Sequence, residues 1–162
     1  MEEVIRNLFI GSVSDSERIR GRPGWAIVHA ERAVYREYVE KHRLPARDAV
    51  ASPDGSELFL SFEDASGTDR VNTRCILPAL GFIHRHLSAG RKVLIHCVAG
   101  MSRAPAIVLL YLLRFTNVLP RTNIFDAIFS FSEIYPLYDL NDGLLQYSAG
   151  FLEEMRGTVR LR

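Results

Sequence analysis

Apolar positions along this chain recur with two periods, and the switches between them mark out the elements. Leu8-Phe9-Ile10 ahead of Gly11-Ser12 reads as a short strand ending in a turn. Ser14 to Gly24 is polar and closes on Pro23-Gly24, which predicts a loop or a loop carrying a short helix. Trp25-Ala26-Ile27-Val28 predicts a buried strand, and Glu31 to His42, with Val34 and Tyr38 four apart among charges, a surface helix. Leu44 to Gly55 holds Pro45, Pro53 and Asp54-Gly55 and reads as a connection. Leu58, Leu60 and Phe62 alternate with Phe59 and Ser61, the period of a strand.

From Asn72 to Leu87 the stripe Ile76, Leu80, Ile83 and Leu87 predicts a helix, although Pro78 must kink it or delay its start. Val93-Leu94-Ile95 is an uninterrupted apolar strand, as in a sheet covered on both faces. Arg103 to Phe115 reads as a helix that is apolar all round from Ile107 to Leu113, and is therefore buried. Two further helices are predicted over Thr122–Phe131 and Gly143–Met155, the first capped by Asn123 with Asp126. Strands alternating with helices give an α/β domain, and 162 residues make one domain, 1–162.

Composition removes several alternatives. A net charge of +1 selects no partner class, and no aromatic-plus-basic stripe or glycine-rich nucleotide loop appears, so no nucleic acid is expected. Arginine dominates the basic residues, with only Lys41 and Lys92 as lysines, and Arg18, Arg20 and Arg22 form a run that reads first as a solvated loop and second as a flank of the pocket. Ala104 to Leu113, the longest apolar run, is about half of the roughly 20 residues that span a bilayer, and the N-terminus has no signal-peptide pattern. The expectation is a cytoplasmic monomer without membrane association. His84 and His86, two apart on a helix, face different ways, make no metal site and read as surface residues. Cys75 reads as a small, half-buried helix residue, or else a disulfide partner for Cys97.

One segment carries chemistry. In His96-Cys97-Val98-Ala99-Gly100-Met101-Ser102-Arg103, a cysteine ends a central strand and an arginine six residues later opens a buried helix. A tight turn at a helix N-terminus directs backbone N–H groups inward and adds the helix dipole, which makes an anion site and favours a thiolate over a thiol. Arg103 can hold two phosphoryl oxygens in its fork, Ser102 can donate to the sulfur as it leaves, and His96 can order the loop through its ring nitrogens. A cysteine and an arginine at this spacing arise easily by composition; the strand before, Gly100 and Ser102 within and the buried helix after give the pattern its force. The bland alternative is a buried structural cysteine at a strand end.

This segment resembles the signature loop of the protein tyrosine phosphatase superfamily in its dual-specificity form. The resemblance extends to Asn7–Ser12 as an opening strand, Phe82-Ile83 near the end of the preceding helix, and Tyr135 to Asn141 with Gly143–Gln146 as closing loop and helix. It implies the phosphotyrosine protein phosphatase-like fold, a central mixed sheet flanked by helices, and two-step hydrolysis of phosphate esters, with no metal or other cofactor. The steps would use Cys97 as nucleophile, Ser102 and Arg103 beside it, and residues Val98, Ala99, Gly100, Met101, Ser102 and Arg103 as the phosphate cradle, with His96 and Asn141 in support. The expected substrate is a phosphorylated protein or peptide.

That resemblance also calls for an aspartic acid to protonate the leaving oxygen, about thirty residues before the cysteine. Asp64, directly after the strand Leu58–Phe62, is preferred; Asp69, further into the loop, is the rival, and Glu63 is set aside. Departures from the family text are Ala104 after the arginine, Pro78 in the helix, and the stretch Trp25 to Arg47. The chain shows no tyrosine-recognition loop, which implies a shallow pocket open to phosphoserine and phosphothreonine as well as phosphotyrosine. Three alternatives remain open: a non-protein substrate such as an RNA 5′ end, a phosphoinositide or a glycan; a phosphate-binding domain without catalysis; and a sulfur-transfer or arsenate-reducing enzyme.

Overall fold

The computed structural model describes residues 1–63 and 72–157. Among these, the chain runs β1 (Glu2–Ile5), β2 (Leu8–Gly11), α1 (Val13–Ile19), β3 (Trp25–His29), α2 (Arg32–Lys41), β4 (Ala49–Ala51) and β5 (Glu57–Leu60). A 3-10 turn (Thr73–Cys75) then leads into α3 (Ile76–Ser88), β6 (Lys92–His96), α4 (Arg103–Phe115), α5 (Ile124–Ile134) and α6 (Asp142–Met155). The strands form one mixed sheet in the order β1-β2-β6-β3-β5-β4. The inner four are parallel, and β1 and β4 close the edges antiparallel to β2 and β5. This is the α/β sheet that the sequence pattern predicts.

Side chains alternate across a strand, so each strand serves both faces. Leu8, Ile10, Val28, Leu58, Leu60, Val93 and Ile95 enter the main core, which α3 and α4 cover, with α5 and α6 packed on α4. Ile27 and Leu94 point the other way, into a smaller cluster with Ile19 of α1, flanked by Phe9 and Trp25. Every residue of α4 from Arg103 to Leu113 is buried, as its all-round apolarity predicts.

The structure corrects the reading of several segments. Glu2–Ile5 and Ala49–Ala51 are edge strands, each too short to show an alternation on its own. The polar stretch after Gly11 contains α1, begun by a capping box between Ser12 and Asp15. Of the two outcomes expected at Pro78, the delayed start holds: Cys75 is the N-cap of α3, so Pro78 sits in the first turn, where an amide has no helical partner to lose. His86 is buried against the Gly55 carbonyl, 3.0 Å away, rather than on the surface. Cys75 is fully buried, its Sγ donating to the Asn72 carbonyl at 2.9 Å, and burial pushes its thiol up to about 12.

Candidate active site

The site is built where β6 ends. His29 of β3 and Gly11 of β2 stand in register with His96, so three parallel strands terminate side by side. The C-terminal edge of such a sheet is where ligands settle in α/β folds. Cys97 follows at once and is buried, while Val98, Ala99 and Met101 are exposed and Gly100 is buried.

The loop's carbonyls are tied outward. Val13 N–H donates to the Val98 carbonyl at 3.4 Å, the Tyr135 hydroxyl to the Gly100 carbonyl at 2.8 Å, and Asp139 N–H to the Met101 carbonyl at 2.6 Å. In a trans peptide the C=O and the following N–H point in opposite directions. The amides of Ala99, Met101 and Ser102 are thereby turned toward the inside of the loop, which makes an anion cradle. Gly100 permits this turn: its φ is 74°, and a Cβ there would lie 2.9 Å from the Gly11 carbonyl oxygen and 3.3 Å from the Tyr135 hydroxyl.

Arg103 is the first residue of α4 and is buried. Its Nη1 lies 2.7 Å from Oε2 of Glu31 and 3.5 Å from the Phe62 carbonyl oxygen. These contacts fix the guanidinium at the helix N-terminus beside the loop, where its charge adds to the helix dipole. Ser102 is the N-cap residue between loop and helix, though its hydroxyl does not cap the helix. Beside this pair opens a cavity of about 570 Å³ lined by Arg32, Arg36, Arg47 and Arg74, with Glu40 and Asp48 as its acids. Arg32 adjoins Glu31 and is ion-paired with Glu63; Ser61, also on the wall, adjoins Phe62.

Cys97 and His96 fall on opposite faces of the sheet. The Cys97 side chain joins the main core face, whereas the His96 ring turns toward α1 and α2 and approaches only the Cys97 carbonyl, at 3.4 Å from Nδ1. The other ring nitrogen, Nε2, is 2.7 Å from Nδ1 of His29. His29 Nε2 is in turn 2.7 Å from Oε2 of Glu57, and Arg20 Nε donates to the same oxygen at 2.9 Å. Burial above all holds both histidines below their usual range, with His96 down to about 3.

The comparisons with known proteins bear on this arrangement. The family described as "Dual specificity phosphatase, catalytic domain" matches residues 58–130, which contain the whole loop from Cys97 to Arg103. That match spans just under half of the chain, so the segment that carries the loop is similar to a dual-specificity phosphatase catalytic domain. A curated relative, "Phosphatidylglycerophosphate phosphatase PTPMT1" of Arabidopsis thaliana, is 42% identical over 45 residues, 28% of this chain and 13% of that protein. This chain therefore spans only a small part of the length of that relative. Among solved structures, human DUSP28 is similar over 98% of this chain and 100% of its own, at 20% identity and a TM-score of 0.70. PTPMT1 in complex with PI(5)P is similar over 97% of each chain, at 16% identity and a TM-score of 0.68. Both likenesses extend over nearly the whole chain and show the same α/β phosphatase fold.

Cys97, Val98, Ala99, Gly100, Met101, Ser102, Arg103 and His96 thus come together at one sheet edge. Asn141 caps α6, accepting from Leu144 N–H at 2.9 Å, two residues after the Asp139 amide that holds Met101. Asp64 and Asp69 lie outside the described residues. Of Arg18, Arg20 and Arg22, only Arg22 is placed at the far end of the strands. Arg18 is paired with Asp15 and Arg20 with Glu57, while Arg22 lines a cavity with Gly24, whose carbonyl receives Lys92 N–H at the opposite end of β6. Sequence reading missed Glu31, His29, Glu57 and Tyr135. The one local signal for Glu31 was an acidic residue directly after a buried strand; the others meet the loop only through the fold.

Proposed function

We propose that this domain hydrolyses phosphate monoesters with Cys97 as nucleophile. The observation that carries the reading is the loop itself: a buried cysteine at the end of the central strand, amides turned inward, and Arg103 anchored by Glu31 at the N-terminus of a buried helix. The phosphoryl group of the ester sits in the cradle, held by the amides and the Arg103 fork. The Cys97 sulfur attacks phosphorus as the P–O bond to the leaving alcohol breaks, and Asp64 donates a proton to that oxygen. Asp64, now a base, takes a proton from water, which displaces the sulfur and releases inorganic phosphate. Asp69 is the alternative acid. Ser102 assists the sulfur's departure.

The substrate we favour is a phosphorylated protein or peptide. The arginine-lined cavity next to Glu31 and Phe62 attracts an acidic stretch flanking the phosphorylated residue. A lipid phosphate is the second reading, favoured by the similarity to the Arabidopsis phosphatidylglycerophosphate phosphatase. We place the enzyme in a reducing compartment such as the cytoplasm, where the free Cys97 thiol stays active.

The test is turnover of an aryl phosphate in chelator and reductant. The wild type turns over, Cys97→Ser is dead, and Asp64→Ala is slower by about 10² or more if it supplies the proton. Turnover by Cys97→Ser sinks the mechanism. Wild-type protein that binds vanadate but hydrolyses neither a phosphopeptide panel nor phosphorylated lipids is a binding domain.

A further inference from the structure

Behind the nucleophile loop, on the sheet face away from the main core, lies a buried line of hydrogen-bonding groups: Glu57, His29, His96 and the Cys97 carbonyl. Both ends of the line are acceptors only, since a carboxylate and a carbonyl carry no proton. Three contacts therefore need three protons on the two imidazoles, whereas two neutral rings carry two. The distances show which contacts receive them. Glu57–His29 and His29–His96 are each 2.7 Å, and His96 Nδ1 to the Cys97 oxygen is 3.4 Å. A proton on Nε2 of each ring makes both short bonds and leaves the Nδ1 lone pair of His96 facing the carbonyl.

We infer that Glu57 and His29 are positioning residues for the loop: by anchoring the His29 proton on Nε2 they hold the His96 proton on its own Nε2, so that the ring presents a lone pair, not an N–H, to the Cys97 carbonyl. The role of the loop rests on the reading of Cys97 as nucleophile.

A third proton would place a full charge in the line. His29 and His96 are buried, with 1% and 0% of their surface exposed, and Phe59 stacks on His29 with ring centroids 4.4 Å apart. The charged groups facing the line are Glu57 and Arg20 at its outer end and Arg103 near its inner end. Glu57 favours an extra proton, and both arginines oppose it. The outer end adjoins open space, because Glu57 also lines a cavity of about 290 Å³ with Arg20, Tyr38 and Lys41.

Glu57→Gln makes the inference sharp. The amide oxygen keeps the bond from Arg20, and its NH2 group faces His29 Nε2, which must now accept. Both rings then move their proton to Nδ1, and His96 closes the third bond to the Cys97 carbonyl. Long-range proton–nitrogen NMR at pH 7.5 reads this directly. In the wild type both rings are expected as neutral Nε2–H tautomers; in Glu57→Gln both are Nδ1–H. With an N–H directed at its carbonyl, Cys97 is alkylated by iodoacetamide with a midpoint about half a pH unit lower. A wild-type His96 protonated on Nδ1, a wild-type His29 carrying both protons, or a variant whose tautomers and alkylation profile match the wild type overturns the inference. The wild-type spectrum decides even if the variant does not fold. The spectra need no turnover, so this result stands apart from whether Cys97→Ser proves active.

Discussion

Under α3 and α4, the sheet presents Leu8, Ile10, Val28, Leu60 and Ile95 as an apolar layer in which shape and volume decide the fit. Under α1 and α2, the same strands present Ile27 and Leu94 beside His29, His96 and Glu57, where donors and acceptors must match one by one. Both faces meet at the end of β6, which sends Cys97 to the first and His96 to the second. An apolar layer is non-directional and tolerates compensating changes. A buried polar line is worth little net stability but is costly when half satisfied. The first face therefore supplies most of the stability, and the second fixes orientation at the loop.

Three measurements break or sharpen this contrast. Leu80→Ala, in α3 on the apolar face and 1% exposed, is expected to lower unfolding free energy by about 3 kcal/mol, while the pH profile of Cys97 alkylation stays in place. Denaturant unfolding of the variant reads the first part. A shifted alkylation profile would mean that the two faces are not separable.

Acid should act through the polar face. His29 and His96 are depressed in the folded state chiefly by burial, so the unfolded chain binds more protons below about pH 6.5. Stability is thus fully present above that value and falls as the pH drops through it, by about 1–2 kcal/mol between pH 7 and pH 5.5. Asp15 adds to the loss at lower pH. Burial raises its carboxyl, but the Ser12 amide and hydroxyl, the N-terminus and Arg18 outweigh this and hold it well below the usual carboxylate range. Unfolding curves at several pH values check the slope, and His29→Asn should flatten its upper part.

The smallest effect is expected from Tyr135→Phe, which removes only the hydroxyl on the Gly100 carbonyl: about 1 kcal/mol of stability. Its larger signature is a raised KM for an aryl phosphate, since the loop loses one of the ties that turn its amides inward.

Much of this fold was legible because its signals are local. The run Val93-Leu94-Ile95, the all-round apolar helix after Arg103 and the cap at Asn123 each rest on neighbours within a turn or two. The edge strands Glu2–Ile5 and Ala49–Ala51 were not legible, because an edge is defined by the strand beside it. Pro78 left two outcomes open for a related reason: its cost depends on where the helix begins, which Asn72 and Cys75 set by packing and capping.

The same division holds at the site. The sequence by itself determined the covalent order of the machinery, strand, cysteine, short glycine-containing turn, arginine, helix, since that order needs only contiguous residues. Tertiary structure alone decided what surrounds it. Glu31 reaches Arg103 across 72 positions, Tyr135 reaches Gly100 across 35, and His29 reaches His96 across 67. Such pairs form because parallel strands from distant parts of the chain end at one edge, and hydrogen bonds of about 3 Å are set by that register rather than by any pattern within a single segment.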